Sequence, residues 1–209
     1  MNIKFFCKTA LIFLFIFIFL FSLNLSISAQ KNLTADKLIF EQDESGASIV
    51  EATENVKMIY NEIKITGHYA LFEQEIQIIT FENNVKVIMG KRELSSNKLI
   101  FDMENENLEM SGDVKLIDED LKVNSGSLSY DKTDQILNFL DDSYIEYDTI
   151  KASANQIKIW EKEDRALLIG NVEGTQGKNR FTADQIEILN RENKIEMVGS
   201  AKLIFDSEE

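Results

Sequence analysis

The chain has 209 residues, 44% of them hydrophobic and 28% charged, which suits one globular domain with a sizeable core and excludes a disordered protein. Its formal net charge is −14, and so acidic a surface repels phosphate backbones, which argues against nucleic-acid binding. The single cysteine, Cys7, leaves no partner for a disulfide within the chain, so stability must come from packing and strand pairing.

The first 29 residues have the pattern of an export signal. Lys4 and Lys8 precede a continuous apolar run over residues 10–21, which thins into small residues. A basic start, an apolar middle and a small-residue end predict cleavage near residues 28–30. An uncleaved membrane anchor is the alternative, because residues 10–27 just reach the roughly 18 residues of a spanning helix. Without this segment, 20 basic (22 − 2) and 36 acidic side chains remain, a net charge of −16.

The rest of the chain, residues 30–209, repeats itself with a period of 29 residues. About six units start at Thr34, Thr66, Ser95, Asn124, Ser153 and Thr182, and only the first step, at 32, is longer. A small polar pair precedes the same anchor position in each unit: Val56, Val85, Val114, Ser143, Val172 and Ala201. Repeats of this length predict an array of stacked supersecondary units that form one domain.

Within each unit the apolar residues alternate with a period of two, which is typical of half-buried strands. The opening strand supplies one set of pairs, a polar turn follows, and a second strand continues the columns. The opening pairs are Leu38 and Phe40, Ala70 and Phe72, Leu99 and Phe101, Leu128 and Tyr130, Ile157 and Ile159, and Ile186 and Ile188.

The two residues before each anchor predict a corner in the second strand. They are Glu-Asn, Asn-Asn, Gly-Asp, Asp-Asp, Gly-Asn and Gly-Ser, types that accept a positive φ angle or a β-bulge. A third short strand then predicts about 16 to 18 strands, arranged as two facing sheets of about eight and roughly 40 Å long. The absence of proline fits continuous strand pairing. The repeat itself is compatible with either a parallel β-helix or an antiparallel bent sheet.

The segments "TADKLIFEQ", "SSNKLIFDMENENLEMSGDVKL" and "TADQIEILNRENKIEMVGSAKLIF" resemble the OstA-type repeat of the LptA family, periplasmic proteins of lipopolysaccharide transport. The resemblance runs from about residue 33 to 206. It implies an all-β fold, an antiparallel twisted β-jelly roll open along one side, whose apolar interior holds the acyl chains of lipopolysaccharide. Unit four, with Ser143 and Asp141-Asp142, and unit two, with Gly67-His68, depart most from the repeat.

The resemblance implies that the inward columns bind lipid. These residues are Leu38, Phe40, Val56, Met58, Phe72, Val85, Val87, Leu99, Phe101, Met110, Val114, Leu116, Ile157, Ile159 and Val172. It also implies head-to-tail stacking of copies through edges that contain Thr34, Leu38, Phe40, Ala201, Leu203 and Phe205. The implied partners are lipopolysaccharide, further copies of the chain, and LptC-like inner-membrane and LptD-like outer-membrane components.

The sequence offers no catalytic, metal or cofactor site, so we predict a protein that is not an enzyme. His68, the only histidine, is expected to have an ordinary surface or turn role. The acidic groups at residues 118–120, 141–142 and 208–209 are expected to be solvated turns, with a weak calcium site as the minor alternative. Trp160 is predicted on the outer face, in packing or in a partner contact.

Three functions therefore compete at the level of the sequence. The first is a periplasmic lipopolysaccharide carrier and bridge of the LptA type. The second is an LptC-like component of the same system, anchored in the inner membrane by an uncleaved N-terminal helix. The third is a structural β-solenoid surface protein, which a densely packed and closed interior would favour.

Overall fold

The computed structural model of the protein describes residues 31–42, 46–192 and 194–205. Within them, fourteen antiparallel strands form one sheet, and a 3₁₀ turn spans Asn190–Glu192. The strands are β1 (Lys31–Thr34), β2 (Lys37–Gln42), β3 (Ser48–Tyr60), β4 (Ile63–Glu73), β5 (Ile78–Met89), β6 (Arg92–Asp102), β7 (Asn107–Asp118), β8 (Leu121–Asp131), β9 (Ile136–Tyr147), β10 (Ile150–Trp160), β11 (Arg165–Gln176), β12 (Asn179–Leu189), β13 (Lys194–Val198) and β14 (Lys202–Ile204).

The sheet is a long meander that does not close on itself. From β3 to β12 each strand pairs with the next along the chain. At one end β1 and β2 both pair with β3, and at the other end β13 and β14 both pair with β12. The predicted all-β antiparallel fold is confirmed, and the parallel β-helix is excluded by the antiparallel registers.

The predicted corners are also confirmed. Two consecutive residues with positive φ stand at each predicted place in the described part of the chain, for example Asn83 (64°) and Asn84 (57°), or Gly112 (78°) and Asp113 (52°). In β3, β5, β7, β9 and β11 these two residues oppose a single residue of the neighbouring strand, which is the arrangement of a β-bulge. The bulges align across the sheet and fold it over.

The corner divides the sheet into two facing layers. Layer 1 contains β2, residues 48–53, 69–73, 78–82, 98–102, 107–111, 127–131, 136–140, 156–160, 165–169 and 185–189, and β13. Layer 2 contains β1, residues 56–60, 63–66, 85–89, 92–95, 114–118, 121–124, 143–147, 150–153, 172–176 and 179–183, and β14.

The strand count corrects the sequence-based prediction. The expected third strand of each unit, such as the segment with Ile63 and Ile65, is the first half of the next long strand, here β4. Fourteen strands therefore replace the predicted 16 to 18, and within the described residues each layer holds twelve segments: ten halves of β3 to β12 and one strand from each end. At about 4.8 Å per strand each layer is about 53 Å long, where about 40 Å was expected.

One hydrophobic core fills the space between the layers. Its largest fully buried side chains include Phe81, Phe101 and Phe139. The ring of Tyr60 in layer 2 meets that of Phe101 in layer 1 edge-on, with ring centres 5.3 Å apart. The core therefore joins the two layers directly.

The predicted export signal at residues 1–29 lies outside the described residues. In the part of the chain that the structure describes, no helix has the length and apolarity needed to span a membrane.

Candidate functional site

The candidate site is the apolar interior between the layers, and most of the predicted lining lies there. Alternation along each strand sends every second side chain inward, and the buried columns continue on both sides of the corner, as in β5. The predicted residues buried in the core are Val56, Met58, Val85, Val87, Leu99, Phe101, Met110, Val114, Leu116, Ile157 and Val172. Side chains of the protein itself therefore fill the middle of the interior.

The other four predicted lining residues are partly or largely exposed. Phe72 and Ile159 are half-buried and pack against the edge of the core. Leu38 and Phe40 lie on β2, where they are 38% and 71% exposed. Because β2 is the terminal strand of layer 1, these two side chains lie at the mouth of the interior and not along its length.

The interior widens near its N-terminal end into a cavity of about 500 Å³. Leu33, Met58, Phe72, Ile79 and Met103 supply its apolar surface, and its rim is polar, with Lys31, Asn32, Gln74 and Gln77. An apolar floor under a polar rim suits an amphiphilic ligand.

A second cavity, of about 250 Å³, lies farther along the interior. Leu121, Ile145 and Tyr147 of layer 2 face Ile159, Ala166 and Ile188 of layer 1 across it. Glu161, Asp164 and Asn190, from turns of layer 1, stand at its rim. We call this space the seam cavity.

The seam cavity belongs to the side opposite the corner, which we call the seam. There the turns of layer 1, at 74–77, 103–106, 132–135 and 161–164, approach the two-residue turns of layer 2. Near the N-terminal end the seam is closed by hydrogen bonds. The buried hydroxyl of Tyr60 donates to the Met103 carbonyl at 2.7 Å, and Asn61 Nδ2 donates to Glu106 Oε1 at 3.0 Å.

A charged cluster closes the seam next to the seam cavity. Arg92 of layer 2 donates to Asp118 Oδ2 from Nε at 3.0 Å and from Nη2 at 2.8 Å. Its Nη2 also donates across the seam to Glu161. Burial alone would lower the pKa of Arg92, but the bonds to Glu161 and Asp118 outweigh it, so that pKa is raised. Burial, followed by the Glu161 carboxylate, raises the pKa of the Tyr130 hydroxyl.

The predicted oligomer edges are exposed at both ends of the sheet. Thr34 on β1 and Leu38 and Phe40 on β2 occupy one end. Ala201, Leu203 and Phe205 are at the other, where Leu203 on β14 is 39% exposed and Phe205 is 72% exposed. Apolar side chains thus meet solvent at both ends of the interior.

The other residues that the sequence analysis named are His68, Trp160 and the acidic groups. His68 is exposed at the corner in β4. Trp160, predicted on the outer face, has the cations of Arg165 and Lys158 at 3.8 Å and 5.0 Å from its ring centre, and it also borders the seam cavity. Of the acidic groups, Asp118 pairs with Arg92 and Asp141 accepts a bond from Ser127, while residues 208–209 lie outside the described residues. No cluster of potential metal ligands occurs among the described residues.

Sequence reasoning missed the polar contacts of the seam. Several apolar residues of the cavities were also absent from the predicted lining, although they continue its period-two columns: Ile79, Leu121, Ile145, Ala166 and Ile188. For Arg92, Asp118 and Glu161 the available signal was a pair of charges, Arg92 and Asp118, inside two columns that are otherwise uncharged between Lys31 and Asn179. Their pairing across the seam depends on how far the layers are offset.

The family description "LptA/(LptD N-terminal domain) LPS transport protein" matches residues 28–107 and 149–206. No curated protein matches the sequence. Among solved structures, one similar chain is LptH from Pseudomonas aeruginosa, described as the LptA homologous periplasmic component of the conserved lipopolysaccharide transport device. It is 13% identical, the match covers 69% of this chain and 95% of that chain, and the TM-score is 0.33.

Proposed function

Because the chain belongs to the family of LptA and LptD N-terminal domain lipopolysaccharide transport proteins, we propose that it carries lipopolysaccharide in its interior across the periplasm. The observation that carries this proposal is the family match at residues 28–107 and 149–206, whose inward side chains contribute to one mostly apolar interior. Each methylene removed from water contributes about 0.8 kcal/mol, so acyl chains gain ample free energy from such an interior.

In this proposal the acyl chains lie between the layers and the head group stays in solvent. The acidic surface, with 36 acidic against 22 basic side chains in the whole chain, disfavours contact with the phosphates of the lipid. Divalent cations between the phosphates and surface carboxylates would reduce that repulsion.

The proposal includes assembly into a bridge. The layers end in strands with one unpaired edge each, and exposed edges of this kind recruit further strands by β-augmentation. Copies would stack head to tail and connect LptC-like and LptD-like components at the two membranes. The export signal would be removed; an uncleaved one would place the chain with the anchored LptC-like components, and the mass of the mature N-terminus separates the two.

Site-specific photo-crosslinking tests the interior as the binding site. A photoreactive residue at the buried positions Phe101 or Val114 should capture lipopolysaccharide, because both side chains face the core. The same photoreactive residue at Lys98 of β6 or Lys115 of β7 should capture none, because both of these side chains are exposed. Equal capture from both sets of positions would contradict binding between the layers.

A further inference from the structure

Two inward columns end at the seam in layer 2, and both are interrupted by charge at adjacent positions. The other positions of both columns are uncharged, except Lys31 at the N-terminal end, and most are apolar. Equivalent positions read Lys31, Ile63, Arg92, Leu121, Ile150 and Asn179 in one column, and Tyr60, Met89, Asp118, Tyr147 and Gln176 in the other. The charges are therefore a local departure from a repeated apolar lining.

Arg92 pairs with Asp118 inside layer 2, and it also forms a bridge to Glu161 in a turn of layer 1. The Arg92 side chain is 18% exposed and that of Glu161 is 22% exposed, and the two are in direct contact across the seam. Separating the two charges of such a pair costs free energy, because each charge then lacks its partner in a place with little access to water. The bridge therefore resists separation of the layers at this point.

The seam cavity lies directly beside the bridge, since Glu161 belongs to both. Its lining between the layers is apolar, and its volume of about 250 Å³ is below the roughly 300–1,000 Å³ of pockets for drug-sized ligands. That space suits a single acyl chain. A lipid with several chains needs more space than the seam cavity offers, and separation of the layers at the adjacent seam would provide it.

We propose that the contact of Arg92 with Glu161 is a latch that determines which amphiphiles load into the interior. With the latch closed, one acyl chain enters the seam cavity between Leu121 and Ile188. Loading of a multi-chain lipid into the seam cavity requires the latch to break so that layers 1 and 2 separate along the seam there. This inference rests on the proposed function, to which it adds the place of loading and the residues that limit it.

Loading rates of the purified full chain test the latch. Trp160, the only tryptophan, lines the seam cavity, so its emission reports occupancy by lipopolysaccharide or by the single-chain probe dodecyl phosphate. Glu161→Gln and Arg92→Met should each load lipopolysaccharide about fivefold faster or more. Rates for dodecyl phosphate should stay within about twofold. Lys91→Ala is the matched control, because Lys91 pairs with Glu119 between two turns of layer 2 and not across the seam. This variant should behave as wild type with both probes.

A crosslinked form provides the opposite test and does not depend on how the neutral variants fold. Arg92→Cys and Glu161→Cys, in a chain carrying Cys7→Ser, can be joined by a short cleavable bismaleimide. The joined protein should lose lipopolysaccharide loading, keep dodecyl phosphate binding, and regain loading when the linker is cut.

Two results would overturn different claims. Equal lipopolysaccharide loading by wild type, unlatched variants and crosslinked protein would overturn the latch and leave the proposed function intact. Failure of wild type and both unlatched variants to bind lipopolysaccharide, with dodecyl phosphate still bound, would overturn the proposed function itself.

Discussion

At the corner, a glycine on one strand packs directly against a larger side chain on the neighbouring strand. The two residues of such a pair are 15 apart in the sequence. A Cβ atom on Gly112 would lie 2.8 Å from Asn97 Nδ2, and one on Gly126 would lie 2.7 Å from the Cβ of Asp141. The second pair is the reverse of the first, with glycine on the earlier strand and the large residue on the later one. Unit four thus keeps its bend with Asp141 (φ 65°) at the position where units three, five and six have glycine.

The reversed pair predicts a rescue by double substitution. Gly126→Asn should lower the free energy of unfolding by about 1–3 kcal/mol, because the new side chain overlaps Asp141. Adding Asp141→Gly should restore most of that loss, since the pair then has the arrangement of Asn97 and Gly112. Urea denaturation measures all three variants.

Gly90→Asn is the control for the rescue. Gly90 also has a positive φ, 61°, but a Cβ there meets nothing within 4 Å, and Asn tolerates this conformation. It should change stability by about 0.5 kcal/mol or less. A double variant no more stable than Gly126→Asn would show that the two residues are not coupled.

Ser143 is a buried polar residue in the anchor column, where the other units have Val or Ala. It is fully buried, and its hydroxyl has no hydrogen-bond partner within the described residues. Ser143→Ala should therefore raise the free energy of unfolding by about 1 kcal/mol in urea denaturation. Ser125→Ala should lower it by a similar amount, because that hydroxyl donates to the Ser127 carbonyl at 2.9 Å. A loss of stability in Ser143→Ala would contradict the prediction.

At the scale of strands, the ends of the sheet differ from its middle in the number of partner strands. Strands β1, β2, β13 and β14 each have a single partner strand, whereas β4 to β11 have two. Hydrogen exchange should therefore be fastest in the four end strands and slowest in β6 to β9, because opening an end strand breaks fewer contacts. Exchange in β13 and β14 as slow as in β7 would contradict this expectation for the isolated protein.

The sequence predicts the strands and corners well because their signals are local. Polar pairs such as Asn83 and Asn84 mark the bulges, and alternation marks the inward columns. The strand count was wrong because the even strands cross the corner with a single residue, as at His68 in β4, and no pair of turn-forming residues marks that crossing. The segment before Thr66 therefore read as a separate strand.

The seam could not be predicted, because its contacts join residues that no local pattern relates. Tyr60 bonds Met103, 43 residues later, and Arg92 bonds Glu161, 69 residues later. The two contacts are nevertheless equivalent in the repeat, because Asp118 and Glu161 stand two periods after Tyr60 and Met103, and Arg92 reaches Glu161 from beside Asp118. The candidate lining was predictable from alternation, whereas the polar residues that hold the layers together were not.

At the scale of the whole molecule, the two ends present different strands in both layers. Layer 1 ends in β2 and β13, and layer 2 ends in β1 and β14. Stacking that continues the sheet would pair β13 of one copy with β2 of the next and β14 with β1. Such a contact is heterologous and does not close, so it predicts rods that lengthen with concentration and not a closed dimer.

Leu203→Pro tests this assembly at the edge of β14. Leu203 lies opposite Phe181 of β12 in a strand of three exposed residues, so proline there removes one backbone donor and disturbs the edge while most of the interior stays unchanged. We expect the variant to remain folded and bind lipopolysaccharide while its rods disappear in light scattering. Ile117→Ser is the control, because Ile117 is 47% exposed on β7, away from both ends, and should leave the rods intact. Rods that persist in Leu203→Pro would rule out the β14 edge as a necessary contact, and a wild-type protein that is monomeric at high concentration would rule out head-to-tail stacking altogether.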